Sequence, residues 1–227
     1  MFGRLFSLEE RVPLKEERIK DMEGARGYDR VSRISMRFPM ESIIKDIKNI
    51  IKPGDTILDA GSQSGLLTLM TAGLHPDAEI FGIEEDSLLY EVAEENLTLA
   101  TLSQAPGKVE FTCASLTNMP IDDESADVVI SYMPLFRISD PVAFLKECKR
   151  ICKKNGRVYI YDMARDADEG TISFILQYVS SGHEEFMQSL HASYSLEEVQ
   201  ALLREAGLED WIVRRESLNL KITSKEI

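Results

Sequence analysis

The chain has 227 residues, of which 44% are hydrophobic and 29% charged, with a formal net charge of -13. That length supports one sizeable core with attachments, while the acidic field argues against a phosphate backbone or an anionic lipid surface as partner. Cys113, Cys148 and Cys152 are too few for a disulfide framework, no apolar run reaches the length of a bilayer span, and MFGRLFSLEERV turns charged too early for a signal peptide; the expectation is a cytoplasmic protein without membrane insertion.

Residues 9–37 are charge-rich without clean periodicity and are expected to form one or two short covering helices. From 41 to 51, Ile43, Ile44, Ile47, Ile50 and Ile51 share one helical face, and Pro53-Gly54 stops that helix. The pattern then alternates. Thr56–Ala60 reads as a strand, Gly65–Ala72 as a helix and Glu79–Glu84 as a strand. Ser87–Leu102 reads as a helix with Leu88, Leu89, Val92, Ala93, Leu97 and Ala100 inward. Lys108–Thr112 is a strand after the Pro106-Gly107 turn, and Ala126–Ser131 has the continuous apolar run of a buried parallel strand. Asp140-Pro141 caps and opens a helix that buries Phe144, Leu145, Cys148, Ile151 and Cys152. Asn155-Gly156 ends it, and Arg157–Tyr161 is the next strand. Residues 164–194, with Phe174, Ile175, Leu176, Tyr178, Phe186 and Met187, read as a partly helical insertion. Ser195-x-x-Glu198 is a capping box, opening a helix with Val199, Leu202, Leu203 and Ala206 inward. Trp211–Arg215 and Leu218–Thr223 read as closing antiparallel strands.

Strand-helix alternation at this spacing predicts an α/β fold: a Rossmann-like, doubly wound, mostly parallel seven-stranded sheet with helices on both faces. The expected organisation is an N-terminal helical cover over 1–52, a ligand-binding core over 53–163, a cap over 164–194 after the fifth strand, and a helix with closing strands of the core over 195–227.

Ligands of such sheets sit at the carboxyl ends of the strands, where strand order reverses. The loop there is Asp59-Ala-Gly61-Ser62-Gln63-Ser-Gly65. Gly61 permits close approach of a ligand to the backbone, Gly65 lets the next helix pack against the strand, and the helix amides can receive an anion. A dinucleotide would want G-x-G-x-x-G, which is missing, and Asp59 would repel a pyrophosphate but suits a cationic ligand. Glu84 and Glu85, at the end of the second strand, are placed to accept ribose hydroxyls.

At these residues the chain resembles the class I S-adenosylmethionine-dependent methyltransferases, in the small-molecule branch that includes the ubiquinone and menaquinone methyltransferases. The resemblance runs from Tyr28 to Asp162. The loop resembles the family's acidic-x-Gly-x-Gly-x-Gly motif, and Gly82-Ile83-Glu84 the strand end that supplies the ribose acid. Ser115-Leu116-Thr117-Asn118-Met119-Pro120 resembles the adenine-contacting segment, Ser125–Ser131 the fourth strand, and Leu145-x-Glu147-x-x-Arg150 followed by Asn155-Gly156-Arg157 the helix and turn before the fifth. It implies S-adenosylmethionine as cofactor, held by Asp59, Gly61, Ser62, Gln63, Gly65, Glu84, Glu85, Ser115, Leu116, Ser131 and Tyr28, with 53–163 as its binding core. It implies transfer of the methyl group to a small organic acceptor by in-line displacement, without a metal. Departures are Gln63 for the middle glycine, Ser115 for the adenine-contacting acid, Ala126 for an aromatic, and Lys154-Asn155 for proline-glycine. Gln63 is expected to fill the methionine space, to point outward, or to bond the cofactor carboxylate; a positive φ there costs on the order of 1 kcal/mol.

A general base or acceptor contact is sought among Tyr132, Arg137 and His191, with His183, Tyr194, Arg165, Arg37 and Phe38 also over the sheet end. The plainer readings stand beside these. Asp59 as a turn cap, Glu84 and Glu85 as a solvated strand end, and His183 and His191 as surface residues are the alternatives. Cys148 and Cys152, at i and i+4, are read as core packing rather than as the metalloid-binding thiolates of arsenic methyltransferases. The alternative functions are a catalytically inactive S-adenosylmethionine-binding homologue with a regulatory or partner-binding role, and a nicotinamide-dependent enzyme. A homodimer follows if the cap exposes an apolar face.

Overall fold

The computed structural model describes residues 6, 9–14, 19–35, 37–103, 107–178 and 182–224; the side chains of Arg37, Phe38 and Tyr178, and Pro106, fall outside the described residues. Seven strands form one sheet: β1 (Thr56–Ala60), β2 (Glu79–Glu84), β3 (Lys108–Cys113), β4 (Ala126–Tyr132), β5 (Cys152–Met163), β6 (Ile212–Glu216) and β7 (Asn219–Thr223), in the order β3-β2-β1-β4-β5-β7-β6. The first five run parallel, and β7 is antiparallel to both β5 and β6, as the two closing strands lead one to expect. Central β1 and β4 are almost wholly buried, whereas β3 at the edge is largely accessible, which is why only the central strands read as unbroken apolar runs.

Helices α1 (Met22–Ser35) and α2 (Arg37–Ile47) cover one side. The helical face drawn through Ile51 is shorter than expected. The helix ends at Ile47, whose carbonyl takes the amides of Ile50 and Ile51 in a closing turn, and Ile51 still reaches the core. Helix α3 (Leu66–Leu74), α4 (Ser87–Ser103) and α5 (Pro141–Ile151) are the crossovers. Asp140 caps α5 by accepting the Ala143 amide at 2.9 Å, with Pro141 in the first turn.

Strand β5 departs from the sequence expectation. It starts at Cys152 rather than Arg157, because the ladder skips: Ala126 faces Cys152 and Val128 faces Arg157, leaving 153–156 as a bulge. Gly156 is required in it, since a Cβ there would stand 2.7 Å from the Asp127 carbonyl oxygen. Asn155-Gly156 therefore bends a strand instead of ending a helix.

After β5 the chain makes α6 (Glu169–Tyr178) and α7 (His183–Ala192), then returns through a parallel bridge of Ala164 with Tyr194. Phe174 on α6 is exposed, while Ile172 and Leu190 join the main core. Helix α8 (Leu196–Glu205) opens on a complete capping box between Ser195 and Glu198. No helix among the described residues is long and apolar enough to cross a membrane.

Candidate functional site

Strand order reverses between β1 and β4, so the crevice of interest opens at their carboxyl ends. The loop leaving β1 is pinned by its backbone: the amides of Gly61 and Ser62 both donate to the Ile83 carbonyl, at 2.8 and 3.0 Å. Gly61, Gln63 and Gly65 have φ of 83°, 55° and 78°. Gln63 thus takes the left-handed conformation of its glycine neighbours, and the loop keeps its path at the cost of some strain. A Cβ on Gly65 would lie 2.6 Å from the Phe111 ring, so this position admits no side chain.

Glu84, buried at the tip of β2, holds the loop from the other side. Its Oε2 accepts the Gln63 amide at 2.8 Å and its Oε1 the Asp86 amide at 2.9 Å. Asp86 in turn caps α4 through the amides of Leu88 and Leu89. A carboxylate has about four acceptor positions, so Glu84 retains lone pairs for hydroxyl donors. Glu85 is exposed beside it.

The Gln63 side chain is buried and does not point outward. Its Nε2 donates to the Tyr132 carbonyl at 2.8 Å, and its Oε1 accepts a hydrogen bond from the Tyr28 hydroxyl on α1. The covering helix is therefore tied to the loop and, through it, to the end of β4. A second tie runs through Asn96, whose amide nitrogen donates to Asp29 at 3.0 Å and to the Ser64 carbonyl at 2.8 Å, while Arg33 donates to its oxygen at 2.7 Å. The sequence reading put Leu97 and Ala100 on the buried face of α4; Asn96 takes the inward place instead.

Asp59 is 1% exposed, and its Oδ2 accepts the Thr68 hydroxyl of α3 at 2.6 Å. Burial, reinforced by the charge of Glu84, pushes its carboxyl up to about 7. Ser131 donates its hydroxyl to the Ala60 carbonyl. Ser115 closes a turn with Thr117, the hydroxyls 3.1 Å apart, and Leu116 is buried near Gly61. Ser62 carries a buried hydroxyl oxygen with no hydrogen-bond partner. This orphan, the three left-handed positions and the spare acceptor capacity of Glu84 fit an adenosine-bearing, partly anionic ligand.

At the ends of β4 and β5, Tyr132 is buried and its hydroxyl is pushed well above the ordinary phenol range by burial, with Tyr28 and Asp162 adding to it. Asp162 accepts the amides of Leu135 and Met163, each at 2.7 Å, and burial pushes it up to about 7. Arg137 stands on the turn after β4, exposed to solvent. His191 is not among these groups: its Nε2 lies 2.8 Å from the Phe6 carbonyl oxygen and its own carbonyl accepts the Val12 amide. His183 stands at the first turn of α7. Arg165 is buried and bonded to the Ser193 carbonyl and Glu198, so it holds the return of the chain. Arg11 lies 4.2 Å above the Tyr194 ring. Cys148 and Cys152 are buried, with the Cys148 thiol pushed far above its ordinary value, so neither is an accessible thiolate. Among the described residues no cluster of three His, Cys, Asp or Glu side chains is placed to hold a metal ion. A cavity of about 450 Å³ lined by Lys52, Asp55, Asp127, Lys153 and Arg157 lies at the opposite, amino end of β1 and β4, away from this chemistry.

The model of the methyltransferase domain family matches residues 58–160. An uncharacterized methyltransferase of Schizosaccharomyces pombe is 34% identical over 110 residues, 48% of this chain and 40% of that protein. A demethylmenaquinone methyltransferase of Thermotoga maritima is 26% identical over 144 residues, 61% of this chain and 58% of that protein. The chain thus spans less than two thirds of the length of either relative. The crystal structure of a candidate S-adenosyl-L-methionine-dependent methyltransferase from Methanococcus maripaludis superposes with a TM-score of 0.70 at 24% identity, covering 94% of this chain and 97% of that one, which establishes a shared fold.

Proposed function

We propose that this chain, whose residues 58–160 match the methyltransferase domain family, is an S-adenosylmethionine-dependent methyltransferase that transfers a methyl group to a small organic acceptor. The observation that carries this reading is Gln63 at φ 55°, which preserves the loop between β1 and α3 where a glycine is missing. When bound, S-adenosylmethionine supplies a methyl on a cationic sulfur: the acceptor lone pair forms the new bond, the carbon–sulfur pair leaves to sulfur, and the acceptor proton passes to solvent or a base.

The chain's own residues do the binding and orienting. Glu84 offers acceptors to ribose hydroxyls, Ser62 its unpartnered hydroxyl, and Leu116 with Gly61 the apolar wall for the adenine. The amides entering α3 receive an anionic end. Buried Asp59 favours a cation nearby, since a positive neighbour stabilises its ionised form. Tyr28 and α1 exclude water from the loop. In-line displacement at a good leaving group asks mainly for positioning, which such a pinned crevice provides. Cys148 and Cys152 are buried and the exposed Cys113 stands alone, so an organic acceptor is favoured over a metalloid that needs several thiolates.

The test is formation of S-adenosylhomocysteine from S-adenosylmethionine with a panel of phenols, amines and carboxylic acids. Acceptor-dependent turnover supports the proposal. Tight binding of both cofactor forms with no turnover on any acceptor favours the inactive homologue, and binding of NAD alone overturns both.

A further inference from the structure

We propose that the cavity at the amino end of β1 and β4 is a second ligand site, built for a small phosphorylated polyol. The cavity has a volume of about 450 Å³, and its lining includes Lys52, Lys153 and Arg157 together with Asp55, Asp127 and Asn155. That volume falls within the usual range of small-molecule sites, roughly 300–1,000 Å³, and exceeds what a single ion fills. The five residues of β1 separate it from the crevice at the carboxyl ends by roughly 15 Å. No residue lining the cavity takes part in that crevice.

Its wall comes from a break in the sheet. Ala126 faces Cys152 and Val128 faces Arg157, so 153–156 bulge out of the ladder beside Asp127. Gly156 lines the cavity too, and a Cβ on it would meet the Asp127 carbonyl oxygen at 2.7 Å, so only glycine lets the bulge pass so close. Asp127 is fixed in place: its Oδ2 accepts the Thr56 amide at 2.9 Å and the Lys153 ammonium at 2.7 Å. Asp55 is fixed by the Lys52 amide, which donates to its Oδ2 at 2.7 Å.

The charges of the wall point to the ligand. Three cations against two carboxylates leave a local positive excess, in a chain whose formal net charge is -13. Arg157 brings a planar fork of five donors, and among the described residues no hydrogen bond or ion pair engages the Lys52 ammonium. A fork and a point charge on one wall suit a phosphate. A carboxylate has about four acceptor positions, so Asp55 and Asp127 retain lone pairs for hydroxyl donors, and the Asn155 amide both donates and accepts. A molecule that joins a phosphate to hydroxyls uses both sets of groups. Inorganic phosphate uses only the cations, and a neutral sugar only the acceptors.

The experiment is calorimetric titration of the full chain with ribose 5-phosphate, glucose 6-phosphate and glycerol 3-phosphate, each beside its unphosphorylated parent and beside inorganic phosphate. At least one phosphorylated polyol is expected to bind tenfold or more tighter than its parent and than inorganic phosphate. Arg157→Gln and Lys52→Gln are each expected to weaken that binding at least fivefold, with S-adenosylhomocysteine affinity changed less than twofold. Lys52 is exposed, so its variant keeps the test open should Arg157→Gln fold poorly. Binding no tighter than that of inorganic phosphate, binding unchanged in both variants, or no heat from any of the three at about 10 mM overturns the inference. Displacement of the bound polyol by S-adenosylhomocysteine overturns it as well, by placing the ligand in the crevice. The methyltransferase reading stands through all of these outcomes and is tested separately by S-adenosylhomocysteine binding.

Discussion

The backbone amide of Gln63 donates to the carboxylate of Glu84 at 2.8 Å, joining the loop after β1 to the tip of β2. One carboxylate therefore shapes the loop and offers acceptors to a ligand. Replacing Glu84 with Ala leaves the buried Gln63 amide unsatisfied, at a cost of roughly 1–3 kcal/mol, and the half-buried Asp86 amide without its partner. The variant is expected to melt lower and to bind S-adenosylhomocysteine at least tenfold more weakly. Glu84→Gln keeps one acceptor oxygen and is expected to fall between the two, as thermal unfolding and calorimetry will show.

Gln63 combines a left-handed backbone with two side-chain hydrogen bonds. Gln63→Ala keeps the strain and loses both bonds, whereas Gln63→Gly loses the bonds but relieves the strain. The Ala variant should be the less stable of the two by about 1 kcal/mol in denaturant unfolding. Equal stability would mean that the left-handed conformation is not held at this position.

Arg150 gathers the segment after Ser115–Asn118 onto α5. It donates to the carbonyls of Met119 and Ile121 at 3.0 and 2.7 Å, and to Asp123 and Glu147 at 2.6 and 2.7 Å. Arg150→Ala is expected to lower stability by about 1–3 kcal/mol, because two half-buried carbonyls and the Glu147 carboxylate lose their partner. Arg150→Lys should recover only part, since a single ammonium cannot span the fork.

Asp59 gives stability a pH dependence of definite sign. Burial raises its folded-state pKa to about 7, above that of the unfolded chain, so the native state holds the proton more tightly. Its contribution is fully present at low pH and is lost as pH rises through about 7, with a slope on the order of 1 kcal/mol per pH unit. Asp59→Asn should flatten the fall in melting temperature between pH 5 and 7. His75, held below its ordinary value by burial, acts with the opposite sign, so the comparison is between variant and parent at each pH.

Much of the frame was legible because local signals and tertiary structure agree. Thr56–Ala60 and Glu79–Glu84 carry flanking turns and apolar runs that leave little choice, and the strands appear with those bounds, while Asp140-Pro141 opens α5 where its capping signal places it. The start of β5 was not legible. The bulge at 153–156 depends on close approach to the Asp127 carbonyl, and Asn-Gly reads locally as an ending. Asn96 escaped notice for a similar reason: a polar residue within a helix signals nothing until α1 supplies Asp29 and Arg33 around it. The backbone of Gln63 could be reasoned from its glycine neighbours. Its side chain could not, because Tyr28 and Tyr132, which fix it, are 35 and 69 residues away along the chain.

The most direct measurement is isothermal titration of the full chain with S-adenosylmethionine, S-adenosylhomocysteine and NAD. The account predicts saturable binding of the first two in the micromolar range, weakened by Glu84→Ala, and none of NAD. Absence of heat with both adenosyl ligands at millimolar concentration, from protein that unfolds cooperatively, would contradict it.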